Sequence, residues 1–276
     1  MRHETFETPG EVTLDLRIPS GRIDVETRPA ATTEIELDAR GGEERAAALL
    51  EDAQIELRKG RGGHEVVVAV ENRGWRFWER LDVRLVIRAP EGVHLRASTA
   101  SADLRGRGRF GSLDAEAASA EIDVDDVAGD ATAKTASGDV TLRFVGGSTS
   151  VNTASGDAEL GRTVGPVNVK TASGDVAITD AGADVGVSTA SGDQRLGAVT
   201  AGTVDLKSAS GDIRVGIREG SDFWVDARAM SGELSSEVEL SDQPTGDDGP
   251  LVELRAVSMS GDIDVVRAPA AGDSLR

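Results

Sequence analysis

Cysteine is absent from this sequence, which rules out a disulfide framework and any thiolate metal site. Aromatic residues make up only 3% of the 276 positions, so a core has to be filled by Val, Leu, Ile, Ala and Thr. A core with few rings is thin, and a thin core suits stacked strands better than a broad globule. Long apolar runs are missing as well. No stretch approaches the roughly 20 apolar residues of a membrane span. The opening Met1-Arg-His-Glu-Thr-Phe-Glu-Thr lacks the apolar segment of a secretory signal, so a soluble, cytoplasmic protein is expected. The histidines are His3, His64 and His94, and none stands in a metal-ligand spacing. There is no phosphate loop and no nucleophile elbow.

Positive charge is in deficit. Lys and Arg number 30 against 49 Asp and Glu, a net charge of −19. The deficit is uneven: residues 1–90 hold 14 against 18, and residues 91–276 hold 16 against 31. The second part presents a strongly acidic surface, which argues against nucleic acid and anionic lipid as partners.

What the chain has in abundance is glycine, 33 residues, and repetition. Thr135-Ala-Ser-Gly-Asp-Val140 recurs at Thr153–Ala158, Thr171–Val176, Thr189–Gln194 and Ser208–Ile213. Worn copies flank these at Thr99–Leu104, Ala117–Ile122, Ala229–Leu234 and Ser258–Ile263, with another at Ser20–Val25. The central serines Ser101, Ser119, Ser137, Ser155, Ser173 and Ser191 are 18 apart, and Ser210, Ser231 and Ser260 follow at 19, 21 and 29. A constant period places every copy in an equivalent environment. The widening gaps mean extra loops towards the C-terminal end.

Each repeat reads as two short alternating strands, as in Val167-Asn-Val-Lys-Thr171 and Val176-Ala-Ile178. The inward face switches between Ser173 and Val176, so Ser-Gly-Asp is a corner. Glycine accepts turn dihedrals there, and Asp can bond a nearby N–H. Eighteen residues cannot hold a strand, a helix and two turns, but they hold two or three strands and their corners. Equivalent strands then stack at about 4.8 Å. Stacking makes interior columns of Val140, Ala158, Val176 and Ile213, and of Leu142, Leu160, Ile178, Leu196 and Val215. It also makes a hydroxyl ladder from Thr135, Thr153, Thr171 and Thr189, and a thin methyl column from Ala136, Ala154, Ala172, Ala190 and Ala209. The expected fold is all-β: a single-stranded β-solenoid, or β-helix, with rungs of about 18 residues. Residues 1–95 read as a β-rich N-terminal cap with one short helix over Glu43–Asp52, 96–267 as the solenoid and 268–276 as a disordered tail.

The Thr-Ala-Ser-Gly-Asp-Val array, preceded by Leu85-Val-Ile-Arg-Ala-Pro-Glu-Gly-Val-His-Leu95, resembles a bacterial domain family of unknown function. That family is usually labelled "putative adhesin" or "β-strand-repeat protein". The resemblance spans about residues 10–266. It implies a β-helical fold, no catalytic residues and an association with envelope-stress regulators.

Two features carry candidate chemistry. Asp103, Glu121, Asp139, Asp157, Asp175, Asp193 and Asp212 should stack in an acidic column along one edge. A column of carboxylates with nearby hydroxyls and turn carbonyls could hold calcium weakly, at Asp139, Asp157, Asp175, Asp193 and Asp212. The alternative is a solvated turn ladder, partly neutralised by Lys134, Lys170 and Lys207 on alternate rungs. The second feature is Trp75-Arg76-Phe77-Trp78, three of the few aromatics together with an arginine. It reads either as a plug for the open end of the solenoid or as an interaction surface. Phe223 and Trp224 fit the same plug near the other end. Catalysis is not expected, because a catalytic serine is unique and needs a base, whereas Ser-Gly-Asp is repeated. No cofactor is implied beyond the calcium alternative.

These observations point to a non-enzymatic structural or interaction scaffold, and the resemblance implies a link to bacterial cell-envelope stress or surface organisation. Its partner is another protein or a second copy, without membrane insertion or a small-molecule substrate. The competing readings are a ligand-binding module for calcium or envelope carbohydrate, built on the Asp column, and a polysaccharide-active β-helix enzyme.

Overall fold

The computed structural model of the chain describes residues 1–59, 63–70, 82–237 and 250–268. It is all-β apart from one short helix, and its strands stack in parallel as solenoid rungs, as the repeat predicts. The chain divides into two compact units, Met1–Leu142 and Arg143–Arg276.

The first unit contains β1 (Arg2–Glu7), β2 (Val12–Arg28), β3 (Thr32–Arg40), α1 (Glu43–Asp52), β4 (Gln54–Lys59), β5 (His64–Ala69), β6 (Asp82–Pro90), β7 (Val93–Ser119), β8 (Ile122–Val127) and β9 (Ala131–Ser137). The next strand, β10 (Val140–Val145), begins there. The worn motif in β2 is a full rung: Ser20 lies opposite Ser101 of β7, and Ile23 opposite Leu104. On its other side β2 runs parallel to β5 and β6, with Ile23 opposite Leu85. Stacking order therefore departs from chain order, because β5 and β6 lie outside the rung of residues 12–28. Beyond it the sheet turns antiparallel, with β3 on β6, β4 on β5 and β1 on β3. These strands occupy the hydrogen-bonding edge that a parallel stack would otherwise leave open. The helix lies against β3 with only Leu49 buried, and Glu43 and Glu44 in its first turn suit the positive end of its dipole. β7 runs through its corner without a break. Alanine stands at position 102 where later copies have glycine, and no residue other than glycine takes a positive φ among the described residues.

The second unit contains β11 (Thr149–Ser155), β12 (Ala158–Thr163), β13 (Val167–Ser173), β14 (Val176–Ala181), β15 (Val185–Ser191), β16 (Gln194–Val199), β17 (Gly202–Ser210), β18 (Ile213–Arg218), β19 (Asp222–Ala229), β20 (Leu234–Ser236), β21 (Leu251–Ser260) and β22 (Ile263–Ala268). Its rungs stack parallel and in register, so Val151, Val169, Val187, Leu206 and Ala256 form one buried column. Leu160, Ile178, Leu196, Val215 and Val265 form another, as the alternation predicts. A third buried column, Thr163, Ala181, Val199 and Ile217, lies three residues after the second on its first three rungs and two after Val215 on the fourth. An alternating strand would place the inward residue two or four on, so the chain bends inside the second strand. The register shift between Leu196 and Val199 marks that bend. A rung thus has two strands and a bend rather than three full strands. The methyl column of Ala136, Ala154, Ala172, Ala190 and Ala209 faces solvent.

The gaps of 21 and 29 residues do hold extra chain, and they also mark a change of order. β21 lies directly on β17 and β22 on β18, while β19 and β20 lie outside them. The last rung in sequence is therefore sandwiched, and its Val252, Leu254, Ala256 and Ile263 are completely buried. No helix among the described residues is long and apolar enough to cross a membrane.

Candidate functional site

The corner of each repeat is the most regular polar feature of the chain. Stacking at a sharp corner brings the glycine carbonyl of one rung against the glycine of the next. A Cβ at Gly174 would sit 2.1 Å from the Gly156 carbonyl oxygen, and at Gly211 2.2 Å from that of Gly192. Gly174 also has φ +155, which L side chains rarely adopt. Both reasons make the glycine obligatory wherever the corner is sharp.

The aspartate follows from the same corner. The N–H groups on either side of it reach carbonyls of the following rung: Gly156 donates to Ser173 and Ala158 to Asp175. The aspartate N–H points the other way, where a side chain meets it. Asp175 N–H donates to Asp157 Oδ1 at 2.8 Å, Asp193 N–H to Asp175 Oδ1 at 2.8 Å and Asp212 N–H to Asp193 Oδ1 at 3.0 Å. The ladder follows stacking order, not chain order. It passes from Asp212 to the N–H of Asp262 at 2.8 Å, then from Asp262 to the N–H of Glu233 at 2.7 Å. In the first unit Glu121 N–H reaches Asp103 Oδ1 in the same way at 3.2 Å. The carboxylate column closes the corner, each acid completing a backbone ladder that the turn has interrupted.

Arg195 serves this column, 2.8 Å from Asp193 and 3.8 Å from Asp175, and in the first unit Arg105 lies 3.9 Å from Glu121. The lysines expected to do so lie elsewhere. Lys134 is opposite Glu116 and donates to it at 2.7 Å, a bond that raises the lysine above its ordinary pKa. Among the described residues no three His, Asp or Glu side chains converge on one point as a metal site would require. The Trp75, Arg76, Phe77 and Trp78 cluster lies outside the described residues.

At the other end of the repeats the plug reading fails for one of its two residues. Phe223 faces inward, half-buried, with the Arg267 guanidinium 5.7 Å from its ring centre. Trp224 faces outward and is 47% exposed. Adjacent residues on a strand point to opposite faces, so the pair could not both plug an interior.

Two features escaped sequence reading. Gln194 stands fully buried in the column between Val176 and Ile213. Its amide nitrogen donates to Thr189 Oγ1 and to the Lys207 carbonyl, both at 2.8 Å, while its Oε1 has no protein partner. The signal was present, since Gln replaces the Val, Ala or Ile that closes the other copies. The second is a cleft of about 390 Å³ beside the bend. In it Arg218 donates to Asp180 at 2.6 Å and to Thr200 Oγ1 at 3.0 Å, and Arg162 lies 4.0 Å from Asp180. A carboxylate tied to a guanidinium is poorly placed as a general base, so the arrangement suits holding a small anionic group better than moving a proton. Its members are dispersed in sequence and meet only through stacking.

No curated protein matches this sequence. Among solved structures, a "putative adhesin" from Bacteroides fragilis NCTC 9343 is 11% identical, with 96% of each chain covered and a TM-score of 0.44. A "putative lipid binding protein" from Parabacteroides distasonis ATCC 8503 is 14% identical, with 96% of each chain covered and a TM-score of 0.43. A "putative adhesin" from Parabacteroides merdae ATCC 43184 is 12% identical at a TM-score of 0.35, covering 96% of this chain and 95% of that one. Residues 13–266, nearly the whole repeat array with the strands before it, match the Toastrack family, and the chain therefore belongs to Toastrack DUF4097.

Proposed function

We propose that the chain is a non-enzymatic scaffold of the bacterial cell envelope, binding another protein or a second copy of itself. The observation that carries this reading is the aspartate ladder. At successive sharp corners Asp157, Asp175, Asp193, Asp212 and Asp262 each accept a backbone N–H from the adjacent rung, so the motif builds a frame. A frame of this kind holds its outward side chains in fixed rows, which is what recognition of an extended partner surface requires. The acidic outer surface favours a partner with a basic face.

The test is affinity capture from the source bacterium with the intact chain as bait, in parallel with assays on envelope polysaccharides. A partner retained at matched ionic strength and competed by untagged chain supports the scaffold. Polysaccharide cleavage lost in Asp175→Asn would overturn it.

A further inference from the structure

The second unit ends, among its described residues, on an uncovered strand. β19 pairs with β21 on one side, and no described strand pairs with its other side. Exposed apolar side chains gather at the same end. Of the nine large apolar residues that stand exposed among the described residues, six lie between Trp224 and Met259. Met230 is 77% exposed and Trp224 47%. The inner face of β19 is also incompletely covered, since Phe223, Val225, Ala227 and Ala229 are only half-buried where the equivalent Val252, Leu254, Ala256 and Ser258 of β21 are fully buried.

The order of side chains along this edge is self-complementary. Asp222 and Met230 donate their N–H groups to the β21 side, to Pro250 and Ser258. Backbone groups alternate sides along a strand, so Phe223, Val225, Ala227 and Ala229 turn theirs to the open edge. In an antiparallel pair of such edges with Ala227 opposite Ala227, these odd-numbered residues form the hydrogen-bonded pairs. The even-numbered ones fall at the non-hydrogen-bonded positions, where facing side chains come closest. That register sets Asp226 against Arg228 and Trp224 against Met230, each twice by symmetry. Among the described residues Asp226 and Arg228 meet each other along one strand, at 3.1 Å and 3.2 Å.

We propose that two copies of the chain associate through antiparallel pairing of β19 about a two-fold axis at Ala227. The partner is committed by charge and by shape: an isologous contact needs a surface complementary to itself, and this edge reads acid against base and ring against thioether in one register only. The pairing continues the sheet across the axis and covers the half-buried inner row. It deepens the scaffold reading by making the second copy a partner and naming the strand that binds it.

The experiment is the mass of the full chain in solution across a concentration series, by light scattering or sedimentation. A dimer of twice 28.7 kDa is expected. Asp226→Arg alone places arginine against arginine in both pairs and should weaken the dimer by about tenfold or more. Adding Arg228→Asp to it restores opposite charges and should restore the dimer. Ala227→Pro removes only an N–H that faces the open edge, so it should leave the melting temperature of the monomer nearly intact and abolish the dimer. Because the chain has no cysteine, Ala227→Cys should form an intermolecular disulfide under mild oxidation, whereas Val225→Cys, four residues out of register with itself, should not. A chain that is monomeric throughout, or a dimer indifferent to Asp226→Arg and Ala227→Pro, would sink the edge pairing. A monomer that still captured another protein would sink it while leaving the scaffold reading in place.

Discussion

Glycine and aspartate divide the work of the repeated corner, and the division can be tested one residue at a time. Gly174 is held by its positive φ and by a carbonyl 2.1 Å from where a Cβ would lie. Neither constraint yields without moving backbone, so Gly174→Ala should cost about 3 kcal/mol, measured as a lowered denaturation midpoint. An equal loss at Gly42, where a Cβ would meet nothing within 4 Å, would show that φ alone sets the cost. Gln194 makes the opposite case. Its column is otherwise aliphatic and its Oε1 has no protein partner, so Gln194→Val should leave stability within about 1 kcal/mol of the parent or raise it. Gln194→Glu at the same buried place should lower it by several-fold more, because the charge would have no counterion there. A stable Glu variant at neutral pH would mean that the column admits water. Gly and Asp were legible in the sequence because a turn requires particular residues. Gln194 was visible as an exception, but only neighbours on adjacent rungs show what its amide does.

Most strands of the second unit are short, and an isolated strand is not stable in water. Their stability comes from stacking, so a substitution in one column is felt on three rungs. Leu160 is fully buried and lies directly opposite Ile178. Leu160→Asp should unfold or aggregate the chain, and a soluble variant with an unchanged melting temperature would show that the column does not face inward. The inward alternation of Val167, Val169 and Thr171 was readable from period two. The third column was not, because the bend between Leu160 and Thr163 breaks the period. Helix α1 was readable from its run of Ala, Leu and Glu, a matter of local propensity.

At the scale of the whole molecule the dominant quantity is charge. A net −19 and rows of carboxylates at rung spacing repel one another, and salt screens that repulsion. Raising ionic strength should therefore raise the melting temperature modestly. Calcium should do little more than potassium at matched ionic strength, since each ladder carboxylate already accepts an N–H through one oxygen. A large calcium-specific rise that disappears in Asp157→Asn with Asp175→Asn would instead establish a bound ion, because a ligand preferring the folded chain adds stability by mass action.

The sequence by itself determined the rung, the corner, the columns and the all-β class. Each follows from local chemistry repeated at a constant period, and a period is readable without knowing what lies next to what. Only the tertiary structure decided which rung lies on which. The period stays silent on order, so the 12–28 rung could lie between two later segments and the 250–268 rung between two earlier ones. Stacking order is set by which edges are left to cover once the regular rungs have formed, a competition among distant segments that leaves no local trace. That same competition leaves β19 at an open edge among the described strands and brings Arg162, Asp180 and Arg218 together from three different rungs.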